Sequence, residues 1–125
     1  MNARTLAQRA YAGNTAPTRA PRGIEYEVIA RITHRIKSAA MKGPAAFPEL
    51  ASALHENRQL WTLLAIDVAG PANDLPEDLR ARLFYLSEFT AHHTSKVLAR
   101  TASVAPLLEV NTAVLRGLRT EKKAS

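Results

Sequence analysis

The side chains with most capacity for chemistry here are four histidines, His34, His55, His92 and His93, and eleven carboxylates. A metal centre needs several of these to converge, and their spacing gives no sign of it. His92 and His93 are neighbours, so on a helix they point about 100° apart and cannot chelate together. Glu88 and His92 stand four apart, which suits a hydrogen bond on a helix surface, but no HExxH or Glu-x-x-His pairing supplies a ligand set. The absence of cysteine excludes disulfides, thiolate metal sites and cysteine nucleophiles. There is no G-x-S-x-G turn for a serine nucleophile, and the five glycines form no phosphate-cradling loop. Glu25/Glu27 and Glu77/Asp78 read as helix-start residues, where a carboxylate faces unpaired amide donors, rather than as acid–base couples. The expectation is a protein that is not an enzyme and holds no metal or cofactor.

Charge offers a binding chemistry instead. The chain of 125 residues carries a formal +6, unevenly placed. Residues 1–22 hold Arg4, Arg9, Arg19 and Arg22 with no acid, residues 116–125 carry a net +3, and the remainder is nearly neutral. Arg31, Arg35 and Lys42, with Lys37 nearby, share a helix region that RNA or an acidic partner would meet first. Against RNA stand the few aromatics, seven in all, with no base-stacking motif among them.

These residues need elements to hold them, and every periodic stretch is helical. Residues 79–100 place Leu79, Leu83, Leu86, Phe89, His93 and Val97 at three- and four-residue spacing, a stripe expected to face the core. Asp74 and Glu77, three apart, predict a capping box at the start of that helix, with Pro76 between them. Between Ala46 and Gly70 a cleaner seam runs through Phe47, Leu50, Leu54, Asn57, Trp61, Leu64 and Val68. Trp61 is expected as a core anchor whose N–H seeks one acceptor, and Asn57 as an amide that fixes register. After Gly23, Val28, Ile29, Ile32, Ile36, Ala39 and Ala40 form another stripe, ended by Gly43-Pro44. The last unit puts Leu107, Asn111, Val114 and Leu118 on one face, with Leu108 and Leu115 beside it.

The pattern predicts an all-α fold: a small bundle of about four main helices over residues 23–118, with no sheet. Residues 1–12 read as a short N-terminal helix, 13–22 as a glycine- and proline-bearing linker, and 119–125 as a basic tail. No stretch reaches the roughly 20 apolar residues of a membrane span, and no signal peptide is evident, so a cytoplasmic location is expected.

Three pieces of the chain, RTLAQRAY, NRQLWTLLAIDVAGPANDLPEDLRARLFYLSEF and PLLEVNTAVLRGL, together resemble the FlaF family of flagellar biosynthesis regulators. The likeness rests on Asn57, Leu60 and Trp61, then Leu75, Pro76, Leu79 and Arg80, then Leu108, Glu109, Val110, Asn111, Gly117 and Leu118. It implies a small helical cytoplasmic protein that binds flagellin as a secretion chaperone. It also implies support for flagellin synthesis and export together with FlbT, a partner that represses flagellin translation. An alternative reading, drawn from the charge, is an RNA-binding regulator of flagellin message. A chaperone for amphipathic flagellin ends needs an apolar groove. The expected groove uses Leu107, Asn111, Val114, Leu115 and Leu118, with Glu109 and Arg116 on its rim.

Overall fold

A computed structural model describes residues 20–124, with side chains described for 26–117. It consists of α1 (Ala20–Met41), a single 3-10 turn (Pro44–Ala46), α2 (Phe47–Ala69), α3 (Glu77–Leu98) and α4 (Ala105–Ala124), with no strand among the described residues. The expected all-α bundle is what forms. The proposed helix over residues 1–12 lies outside the described residues.

Helix α1 starts inside the expected linker, because Pro21 sits in its first turn, where a missing N–H costs nothing. It buries Ile29, Ile32 and Ile36 completely. Gly43 ends this unit at φ 87° and ψ −171°, a conformation that only glycine adopts readily. Helix α2 then buries Leu54, Asn57, Trp61, Leu64 and Val68, five of the seven seam residues read from the sequence. It lies at the centre, packed against α1 on one side and α3 on the other, while α4 packs on α1. Consecutive helices are antiparallel: Lys42 reaches Glu49 across the first turn, and Ser87 reaches Trp61 across the second.

Two expectations for α3 are corrected. The helix begins at Glu77 after Pro76, which sits in extended geometry (φ −55°, ψ 145°), and no side chain caps it. Asn73, rather than Asp74, supplies the local acceptor, taking the N–H of Leu75 at 3.0 Å. The buried face is also rotated from the leucine stripe. Ser87, Thr90, Thr94 and Val97 are buried, whereas Leu79, Leu83, Leu86, Phe89 and His93 are half-buried. The reason is the approach of α3 to α2. The Ser87 hydroxyl donates to the Trp61 backbone carbonyl at 3.1 Å, and small side chains on this face let α3 come close enough to α2 to make that bond.

The far end of α3 is closed by bonds from the amides of Thr101 to Lys96 O and of Arg100 to Val97 O, both 2.9 Å. Arg100 takes the left-handed conformation (φ 63°) where glycine is usual. Its guanidinium lies 4.3 Å from the centre of the Phe47 ring, a cation–π contact that offsets part of the strain. Helix α4 continues to Ala124 through the expected tail, whose Arg119, Glu121, Lys122 and Lys123 are good helix formers.

Candidate functional site

The seam where α4 meets the bundle is built on one amide. Asn111 is fully buried. Its Oδ1 accepts the indole N–H of Trp61 at 2.9 Å. Its Nδ2 donates to Asn57 Oδ1 at 2.9 Å and to Thr33 Oγ1 at 3.1 Å. The Thr33 hydroxyl in turn donates to the Ile29 carbonyl at 2.6 Å. One residue thus ties α4 to both α1 and α2, and only one rotation of α4 satisfies all three bonds. Trp61 finds its acceptor as expected, and Asn57 acts in register rather than on a ligand. Two atoms nearby, Asn57 Nδ2 and Thr90 Oγ1, are buried without a hydrogen-bond partner. Such a group can cost up to about 3 kcal/mol, and less where it is a hydroxyl free to rotate.

This geometry divides the expected groove. Leu107 and Asn111 are fully buried, so they hold α4 in place and do not line an open surface. Val114 and Leu115 are half-buried at the edge of the core, together with Leu108. Glu109 and Arg116 are exposed on the same helix. The side chain of Leu118 lies outside the described residues. The sequence pattern marks α4 as amphipathic but cannot say which apolar residues its neighbours consume. Helices α3 and α4 pack against each other far less closely than the other adjacent pairs do. They are joined near their connection, where His93 Nε2–H donates to Ser103 O at 2.8 Å and the ring stacks on Phe89.

The basic region of α1 is largely answered from α2. Arg31 bonds Glu56 through both nitrogens, at 2.7 and 3.3 Å, and Arg35 bonds the same carboxylate. Lys42 pairs with Glu49 at 2.9 Å. Burial alone would raise the Glu56 carboxyl, but hydrogen bonds and charge from Arg31 and then Arg35 outweigh it and hold it below the usual range. Hydrogen bonding to Glu56 raises Arg31 above its ordinary value, against a smaller opposing effect of burial. The cations best placed for RNA are therefore engaged in the fold. Among the described residues, no three histidine, aspartate or glutamate side chains are placed to hold a metal ion. Nor is any described helix long and apolar enough to cross a membrane.

A family model described as flagellar protein FlaF matches residues 7–118, nearly the whole chain. No curated protein and no solved structure matches it.

Proposed function

The chain belongs to the FlaF family of flagellar proteins, and we propose that it binds flagellin in the cytoplasm as a secretion chaperone. In this reading it promotes flagellin synthesis and export, works alongside FlbT, and performs no covalent chemistry. The observation that carries the proposal is the outer flank of α4. There, half-buried Leu108 and Leu115, seven residues apart on one flank, adjoin exposed Glu109 and Arg116, while half-buried Val114 lies on the other side of buried Leu107 and Asn111, and α4 is only loosely joined to α3. An amphipathic helix needs such a strip: apolar side chains to cover its own stripe, and charges at the edge to set direction. Partial burial keeps the free strip small, which suits a cargo that must leave again.

The RNA reading loses support because Arg31, Arg35 and Lys42 already have carboxylate partners. Salt separates the two readings. Phosphate-driven binding falls steeply as salt rises, through counterion release, whereas apolar capture does not. The direct test is Val114→Ser with Leu115→Ser in a flagellin pull-down. Capture should be lost while the helical circular dichroism stays intact. Undiminished capture by a folded double variant would overturn the assignment.

A further inference from the structure

A second apolar surface lies on the opposite side of the hairpin formed by α2 and α3, and none of the roles above uses it. Arg58 crosses this outer side, donating to Ala91 O at 3.0 Å and Ser95 Oγ at 2.9 Å. Two turns farther along α2 on that side is Ile66, and two turns back along α3 from Ala91 is Phe84. Ile66 is 61% exposed, Phe84 42% and the adjoining Tyr85 64%. Arg80, one turn before Phe84 on the same face, keeps its Nε–H buried with no hydrogen-bond partner. Around this patch Asp74, Glu77 and Asp78 are exposed, with Asp67 half-buried close by.

We propose that residues 3–11 of the same chain cover this patch. Three observations converge on that occupant. The first is position. Arg31 meets Glu56; Ile66 lies ten residues, about 15 Å, beyond Glu56, and an equal step back along α1 reaches Pro21. Residues 1–19 therefore join the bundle at the end that displays Ile66, Phe84 and Tyr85. The eight residues 12–19 span up to about 26 Å, more than enough to reach across it. The second is charge: Arg4, Arg9 and Arg19 have no acid among them, and around the patch the four carboxylates Asp67, Asp74, Glu77 and Asp78 outnumber the three arginines Arg58, Arg80 and Arg82. The third is shape. At helical spacing, Ala3, Leu6, Ala7 and Ala10 share one side, with Tyr11 and Arg4 together at its edge and Gln8 and Arg9 off it. The family match begins at residue 7, so part of this segment belongs to the common pattern.

The chain has no cysteine, so a single one can be placed at will. A spin label on Gln8→Cys in the full-length protein should cause loss of NMR signal intensity around Thr62–Ile66 and Arg80–Tyr85, and none around Met41. Leu6→Ser with Tyr11→Ser, or Phe84→Ser with Tyr85→Ser at the other partner, should restore those signals while the helical spectrum persists. Mixing spin-labelled chains with isotope-labelled, unlabelled ones separates the occupants. Signal loss in the mixed sample would mean that a second copy covers the patch, which overturns the proposal. Loss confined to α4, or no loss at all, would overturn it too. No loss at all would leave the flagellin reading untouched, whereas loss confined to α4 would put this segment in competition with flagellin for the surface that includes Val114 and Leu115.

Discussion

Helices α1 and α3 flank the same central helix but hold it by different means. Helix α1 brings Ile29, Ile32 and Ile36, all fully buried, and an ion cluster in which Arg31 and Arg35 share Glu56. Helix α3 brings Ser87, Thr90 and Thr94, whose hydroxyls mostly return to helix carbonyls: Ser87 to Trp61 and Thr94 to Thr90. The first joint removes much apolar surface from water, at about 25 cal/mol per Å². The second removes less and permits closer approach. The lesson is that stability concentrates on the α1 side and placement on the α3 and α4 side. Room for a partner helix is therefore cheapest to make beside α3 and α4.

The largest effect should come from the apolar joint. Ile32→Ala ought to cost about 3–4 kcal/mol, from lost burial plus the cavity left behind. Urea unfolding monitored by circular dichroism reads this directly. A cost as small as a surface substitution would abolish the contrast between the two joints. Next, Asn111→Ala strands the Trp61 N–H and the Asn57 carbonyl, so about 2–3 kcal/mol should be lost and the Trp61 fluorescence should shift.

Acid should weaken the α1 side by less. The Glu56 carboxyl is held low in the folded state, so its contribution is present above the ordinary carboxylate value. It is lost as pH falls below about 4.3 through the folded value. The arginines are 46% and 38% exposed, so solvent screening limits the effect to about 1 kcal/mol or less. The urea midpoint of Glu56→Gln should vary less between pH 6 and pH 3 than that of the parent. Smallest, and of opposite sign, is Thr90→Val. It removes a buried hydroxyl without a partner while keeping the shape, so stability should rise by a few tenths of a kcal/mol. A clear loss would mean that the hydroxyl is satisfied in solution.

Helices α1 and α2 were legible from their sequence because their buried residues are apolar and recur at helical spacing. Helix α3 misleads in an instructive way. Its leucines keep perfect period, yet the face it turns to α2 is the one with small hydroxyl side chains, Ser87, Thr90 and Thr94, with Ser87 bonded to the Trp61 backbone carbonyl. Periodicity registers hydrophobicity but not how closely two helix backbones approach. Asn111 was legible as a polar residue on an apolar face, but not as the tie of the bundle. Its partners lie 50, 54 and 78 positions away, and nothing local announces them. Charge was misleading for the same reason: Arg31 and Arg35 look free until Glu56 is placed beside them.

Hydrogen exchange with and without flagellin tests the central claim most directly, because it reports every helix at once. On adding flagellin, the account predicts slower exchange along α4 from Leu108 to Arg116 and in the adjoining part of α3, with α1 and α2 unchanged. Protection confined to α1 and α2, or none anywhere, would contradict it.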